Sequence, residues 1–214
     1  METSAVKIFD IVEKVTRKIA PGPAPSFNEA HVVKALELID SYRTVGRIKL
    51  SKELGLGEGT TRTLLKHLKN EGIITSSRSG IVFSQQGQKL FSDLRSKLSQ
   101  SIDVPSSPIT VGAFNIGVLV KDLASSVGSG MEQRDTAIKI GATGATTLIF
   151  SSNKLSLPMG EQNLSENMPA LHDDLVSKFK PEENDVIIVG SAENKKTAEI
   201  GAKMAALKLL KNNN

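Results

Sequence analysis

The sequence of 214 residues contains no cysteine and no tryptophan, and only one tyrosine and three histidines. The absence of cysteine excludes disulfides, thiolate zinc sites and thiol catalysis. No two of the histidines, His31, His67 and His172, have the spacing of a local metal-ligand motif. Aromatic residues make up 4% of the chain, so we do not expect a nucleic-acid site built from bases stacked on aromatic rings.

Long apolar runs are also missing. The longest, Ala113–Val120, is interrupted by Asn115 and Gly117 and falls far short of the ~20 residues that span a membrane. The first residues lack the apolar core of a signal peptide. We therefore expect a soluble cytoplasmic protein that has no membrane partner.

Positive charge is concentrated in the N-terminal half. Residues 1–100 contain 16 Lys and Arg against 10 Asp and Glu, a net charge of +6, whereas residues 101–214 contain 11 against 13, a net charge of −2. A basic half joined to a slightly acidic half is typical of a polyanion-binding domain linked to a domain with another task. A chance distribution of surface charge is the alternative.

Two proline-containing stretches, Pro21–Pro25 and residues 101–108, predict the domain organisation. We predict an N-terminal helix and linker over residues 1–22, a winged-helix domain over 23–100, a linker over 101–108 and an α/β domain over 109–214. The first helix must bury an apolar stripe, on its own winged domain or on a second subunit. The stripe consists of Ile8, Ile11, Val12, Val15 and Ile19.

Residues Ile48–Phe83 predict, in order, a helix, a glycine-rich turn, a second helix and a β-hairpin. This order is typical of a winged helix-turn-helix. Before it, Asn28 is predicted to cap a helix, and Arg47–Leu50 to be a short extended piece. Ser51 is predicted to cap the first helix of the motif, and a helix is expected from Ser84 to about Gln100.

The second helix of the motif, predicted over Thr60–Asn70, has a polar outer face. Its inner face is predicted from the spacing of Thr61, Leu64, Leu65 and Leu68. The outer side chains are of the kinds that bond phosphates and base edges, and the hairpin tip, residues 76–80, adds one arginine. The predicted DNA-binding residues are Thr60, Arg62, Thr63, Lys66, His67 and Arg78. The alternative is a winged module that binds protein.

Residues 109–214 alternate between β-branched apolar runs and helical patterns. The predicted order is strand, helix, hairpin, helix, strand, helix, which indicates an α/β sandwich of the size of a small sensor domain. The fold class expected for the whole chain is therefore α+β, a winged helix-turn-helix joined to an α/β sandwich.

Two strand-to-helix junctions in this domain, Val127–Asp135 and Val189–Asn194, are candidate ligand sites. Their small residues allow close approach, and a helix N-terminus presents free N–H groups to an anion. The predicted ligand-binding residues are Ser129, Gly130, Glu132, Arg134, Asp135 and Ser191. The alternative is a pair of ordinary turns, since neither junction contains a dinucleotide fingerprint or a P-loop.

No catalytic arrangement is evident. Ser129 or Ser191 would need a histidine base, and the one histidine in this half, His172, precedes Asp173 in a predicted surface helix. We expect no enzymatic activity, no metal site and no cofactor.

The chain resembles known regulators in two places. Residues 48–90 resemble the winged-helix superfamily of bacterial and archaeal transcription regulators, on Leu54, Thr60, Arg62, Leu65, Leu68, Gly72–Ile74 and Phe83–Gly87. The chain as a whole resembles an archaeal family of predicted regulators whose C-terminal domain is of undefined function, on Asn115–Val120, Ser129–Lys139 and Gly141–Leu148. The resemblance implies a regulator with an unnamed effector, and it implies no catalytic residues.

The sequence thus suggests a transcription regulator that binds double-stranded DNA as a homodimer, with a C-terminal domain that dimerises or senses a small-molecule effector. The first rival is a protein-binding winged-helix module of a larger nucleic-acid machine. The second is an enzyme whose C-terminal domain acts on a small molecule.

Overall fold

The computed structural model describes residues 4–17, 25–160 and 162–213. The chain divides into two compact units, Met1–Arg95 and Ser96–Asn214. Most of the predicted Pro21–Pro25 linker, and the predicted stripe residue Ile19, lie outside the described residues. No helix in the described ranges is both long and apolar enough to cross a membrane.

The N-terminal unit is mainly helical and contains one β-hairpin. Its elements are α1 (Ser4–Thr16), α2 (Glu29–Tyr42), α3 (Arg47–Leu54), α4 (Glu58–Asn70), β1 (Ile74–Ser77), β2 (Gly80–Phe83) and α5 (Gln85–Arg95). The final helix, predicted to reach Gln100, ends at Arg95.

Helix α1 buries its apolar stripe within its own unit. Ile8, Val12 and Val15 are buried, and α1 packs against α2, α4 and α5. Of the two destinations predicted for this stripe, the structure shows the first. The N-terminal helix is therefore part of the winged domain's core.

Helix α2 begins with a capping box, as the position of Asn28 predicts. The Asn28 side chain accepts a hydrogen bond from the His31 amide at 3.2 Å, and His31 Nδ1 accepts one from the Asn28 amide at 3.3 Å. Burial, with the nearby charge of Lys34, lowers the pKa of His31 to about 4. The imidazole that caps this helix is thus the neutral form at pH 7.

The start of α3 was predicted wrongly. Arg47–Leu50 is helical, and Ser51 lies inside the helix, where its hydroxyl donates to the Leu56 carbonyl at 2.6 Å. The extended residue is Val45, which pairs with Ile81 of β2 as an isolated bridge. Because that pairing joins residues 36 positions apart in sequence, local patterns did not reveal it.

The C-terminal unit is built on one five-stranded sheet. Its elements are β3 (Ile102–Asp103), β4 (Phe114–Val120), α6 (Met131–Lys139), β5 (Gly144–Ser151), β6 (Lys154–Ser156), α7 (Leu164–Asn167), α8 (Pro169–Phe179), β7 (Val186–Ala192) and α9 (Lys195–Lys211). The strand order is β3-β4-β7-β5-β6, and every pair is antiparallel. Residues 101–108, predicted as a linker, contribute the edge strand β3, because Ile102 pairs with Gly117.

Helices cover both faces of this sheet, which confirms the predicted α+β class with a C-terminal sandwich. On one face α9 packs so closely on β7 that a Cβ at Gly190 would lie 2.4 Å from the Ala198 carbonyl oxygen. On the other face a Cβ at Gly117 would lie 2.6 Å from the ring of Phe179 in α8. Glycine at these two positions lets helix and strand approach each other.

Candidate nucleic-acid interface

Helices α3 and α4 form a helix-turn-helix. Gly55 is the C-cap of α3 and has the left-handed conformation, with φ 70°. Gly57 is the N-cap of α4, which starts at Glu58, two residues before the predicted Thr60. Thr61, Leu64 and Leu68 are buried as predicted. The inner face of α4 therefore anchors the helix to its unit and leaves the opposite face to solvent.

The outer face of α4 presents most of the residues predicted to contact DNA. Arg62, Thr63 and Lys66 are exposed, and Thr60 is half-buried. The Thr63 hydroxyl donates to the Gly59 carbonyl at 3.1 Å, so this hydroxyl remains available only as an acceptor. Lys69, which the sequence analysis missed, is exposed on the last turn.

His67 was predicted on the outer face, and this is wrong. Its side chain is buried, and its Nδ1 lies 2.7 Å from the carbonyl oxygen of Val15, to which it donates. The ring also meets Phe27 edge-on, with 6.0 Å between ring centroids. His67 thus fastens α4 to α1, and its partner, 52 residues away, could not be inferred from helical spacing.

The hairpin that follows α4 has the form of a wing. Strands β1 and β2 pair from Ile74–Phe83 to Ser77–Gly80, so the connecting turn is Arg78 and Ser79 rather than the whole predicted tip. The Ser79 amide donates to the Ser77 hydroxyl oxygen at 3.2 Å, which orders the turn. Arg78 is exposed at the end of the hairpin, as predicted.

The first turns of α3 add cations that sequence reasoning did not assign. Arg47 and Lys49 are exposed on a helix that was predicted to be partly extended. The rule that the first helix of a helix-turn-helix crosses the DNA backbone would have drawn attention to them.

Positive charge on this surface is not neutralised by the protein. Seven exposed Lys and Arg side chains between residues 43 and 78 have no carboxylate partner among the described residues. They are Arg43, Arg47, Lys49, Arg62, Lys66, Lys69 and Arg78. Exposed positive charge at the end of α2 and on α3, α4 and the wing is suited to contact a phosphate backbone.

The predicted ligand residues of the C-terminal unit do not form an open site that includes Ser191. Ser191 is buried, its hydroxyl donates to the Asn115 side-chain oxygen at 2.6 Å, and that hydroxyl accepts from the Val111 amide at 3.3 Å. The strands that precede the two predicted junctions, β4 and β7, are antiparallel, with Val120 opposite Val186. The carboxyl ends of these two strands therefore lie at opposite ends of the sheet.

The other five predicted ligand residues surround the exposed start of α6. Gly130 begins the helix at φ 79°, and Ser129 is exposed. Arg134 pairs with its neighbour Asp135 at 3.1 Å, and Glu132 accepts from Asn212 at 3.1 Å. Among the described residues no group of His, Asp or Glu is placed to hold a metal ion.

The two units match different protein families. Residues 32–98 match a family described as the CggR N-terminal DNA-binding domain, and residues 111–209 match a domain of unknown function, DUF4443. A solved structure described as a hypothetical protein from Pyrococcus horikoshii OT3 is 28% identical with a TM-score of 0.72, covering 88% of this chain and 95% of that chain. No curated protein matches significantly. The chain is thus similar to DNA-binding regulators in its N-terminal unit and to a family of unknown function in its C-terminal unit.

Proposed function

We propose that this protein is a sequence-specific transcription regulator that binds double-stranded DNA through α4 and the wing. The observation that carries the proposal is the coincidence of two independent features in one segment. The segment that matches a DNA-binding domain also holds the seven exposed cations without carboxylate partners. The phosphate backbone of DNA would supply the negative charge that the protein does not supply to these side chains.

The proposed roles follow from the position of each side chain. Arg62 and Lys66, on the outer face of α4, enter the major groove, where Arg addresses guanine through two hydrogen bonds. Thr60 and Thr63 contact phosphates or bases beside them. Arg78, at the end of the wing, contacts the backbone or the minor groove. No catalytic role is proposed for either unit.

The test begins with selection of bound fragments from genomic DNA by the purified full chain. Affinity for a selected fragment is then measured for Arg62→Ala/Lys66→Ala, which should bind at least about tenfold more weakly, since one good base contact contributes about 1–3 kcal/mol. The matched control, Lys154→Ala/Lys178→Ala, removes two exposed lysines of the C-terminal unit and should bind normally.

If no fragment is enriched, or if the Arg62→Ala/Lys66→Ala variant binds as the wild type does, the recognition surface is wrong. A winged module that binds protein would then be the better account. Unchanged thermal unfolding of each variant is required for this comparison.

We further propose that the C-terminal unit dimerises the protein, because paired half-sites give a regulator reach and affinity. The support is four exposed apolar side chains of this unit: Val111, Phe114, Met131 and Ile138 are 46% to 56% exposed. Light scattering should give a dimer mass for the wild type and a monomer mass for Met131→Asp/Ile138→Asp. A wild-type monomer at all concentrations would overturn this part of the proposal.

An effector role for the C-terminal unit rests on the exposed start of α6, where Ser129, Gly130, Glu132, Arg134 and Asp135 lie in consecutive turns. Screening small metabolites by thermal unfolding tests it, because a ligand that binds the folded state raises Tm. The raised Tm should disappear in Arg134→Ala. A check for turnover of any binding metabolite distinguishes a sensor from an enzyme.

A further inference from the structure

The corner between α2 and α3 contains a cation held by an aromatic ring. The Lys49 ammonium nitrogen lies 3.5 Å from the centroid of the Tyr42 ring, the only tyrosine of the chain. Both side chains are exposed, and Tyr42 retains 37% of its accessible surface. The distance is well within the range of a cation–π interaction.

This corner lies beside the wing within the N-terminal unit. Val45 lies between Tyr42 and Lys49, and its backbone pairs with Ile81 of β2. The Val45 nitrogen lies 3.2 Å from the Ile81 carbonyl oxygen, and the Ile81 nitrogen lies 2.9 Å from the Val45 carbonyl oxygen. The neighbouring Arg47 and Ile48 are exposed, Ile48 at 69%, and the first turn of α3 contains no acidic residue. A duplex seated against the wing therefore passes close to the first turns of α3.

An aromatic partner differs from a carboxylate partner in one respect that matters for binding a polyanion. A carboxylate would hold the lysine and cancel its charge, whereas the ring holds it and leaves the charge intact. Lysine has a flexible four-carbon stem, and its ordering on a phosphate costs rotamer entropy. A ring that confines the ammonium before binding reduces that cost.

We propose that Tyr42 is a positioning residue that holds Lys49 ready to contact a DNA phosphate. The inference rests on the proposed DNA-binding function and adds a contact outside the recognition helix. A protein partner at this corner is the alternative occupant. The absence of acidic residues from the first turn of α3 and the unneutralised charges of Arg47 and Lys49 favour a phosphate.

The test is a double-mutant cycle on the full chain, read by fluorescence anisotropy with a mixed-sequence DNA duplex as the probe. A phosphate contact does not depend on sequence, so no operator is needed. Lys49→Gln should lower the magnitude of the slope of log K against log salt by about one. The matched control is Lys89→Gln, which removes another exposed lysine of the same unit and should leave the slope unchanged.

Tyr42→Leu should weaken binding about two- to fivefold, the range of an exposed cation–π interaction. Tyr42→Phe keeps the ring and should bind as the wild type does. In the Lys49→Gln background, Tyr42→Leu should cause no further loss, because the tyrosine acts through the lysine.

Three outcomes overturn the inference. An equal loss from Tyr42→Leu in both backgrounds would make Tyr42 a structural or direct contact. An unchanged salt slope for Lys49→Gln, with the wild type binding DNA, would remove the phosphate contact and leave the proposed function intact. A wild-type protein without salt-dependent DNA binding would end both.

Discussion

The helix-turn-helix and wing region differs from the C-terminal unit in how its exposed cations are paired. Outside that region, the N-terminal unit also has ion pairs, between Lys14 and Glu71 and between Arg17 and Glu13. In the C-terminal unit, seven cations form ion pairs with carboxylates: Lys121, Arg134, Lys154, Lys178, Lys195, Lys203 and Lys208. In the N-terminal unit, the seven exposed cations from Arg43 to Arg78 have no such partner in the described part of the chain.

Leaving these cations unpaired has a small effect on stability and a larger effect on the binding of polyanions. An exposed ion pair contributes about 0–1 kcal/mol, so leaving seven cations unpaired costs the N-terminal unit little. It does leave a positive field that attracts a polyanion. The arrangement of ion pairs therefore supports the proposed binding surface on the helix-turn-helix and the wing, independently of the family match.

Disrupting the buried ion pair of the C-terminal unit should cost the most stability. Lys203 is fully buried in α9, and its ammonium contacts Glu199 at 2.6 Å and the Ser101 hydroxyl. Glu199→Ala should lower the free energy of unfolding by about 3 kcal/mol, because a buried charge then loses its carboxylate. Chemical denaturation measures this loss. The double variant Glu199→Leu/Lys203→Met should recover most of it, and a failure to recover would show that packing dominates.

The next effect is pH-dependent and lies in the N-terminal unit. The pKa of His31 is about 4 in the folded protein against about 6.5 unfolded, so the folded state favours the neutral imidazole. The contribution of this cap to the free energy of unfolding is complete above pH 6.5. It decreases by about 1–2 kcal/mol as the pH falls towards 4.

Denaturation of the wild type and of His31→Gln at several pH values from 7 to 4 tests this linkage. Glutamine at this position can still accept from the Asn28 amide but does not titrate. Between pH 6.5 and 4, the free energy of unfolding should fall more steeply for the wild type than for His31→Gln. Identical curves would contradict the assigned pKa.

A smaller effect is expected at the wing. Arg78→Ala should weaken binding to any duplex by about fivefold and lower the magnitude of the salt slope by about one, because a single phosphate or groove contact is lost. Its position on an ordered two-residue turn means that folding should not change. Loss of affinity for one sequence only would instead indicate base readout by the wing.

The smallest effect is expected for a paired, exposed cation. Lys178 contacts Asp174 at 2.8 Å on the surface of α8. Lys178→Ala should change the free energy of unfolding by less than about 0.5 kcal/mol and leave DNA affinity unchanged. A substantial loss of DNA affinity would break the contrast between paired and unpaired cations.

The elements that sequence predicted well are those determined by neighbouring residues. Asn28 caps α2, and Leu64 and Leu68 face inward on α4. Each depends on a local cap or on spacing within one helix. The outward placement of Arg62 and Lys66 follows from the same spacing.

Three of the errors involve a partner distant in sequence. His67 is buried because the Val15 carbonyl accepts its hydrogen bond, and α3 begins early because Val45, not Arg47–Leu50, pairs with the hairpin. Ser191 is buried because Asn115 and Val111 satisfy its hydroxyl. Local periodicity carries no information on such contacts.

The salt dependence of DNA binding shows whether the unpaired cations contact phosphates. Log K against log salt, between about 50 and 200 mM, should be linear with a slope of about −4 or steeper for the wild type, and shallower by about two for Arg62→Ala/Lys66→Ala. A wild-type slope near zero, or an unchanged slope in the double variant, would contradict the claim that these unpaired cations bind phosphates.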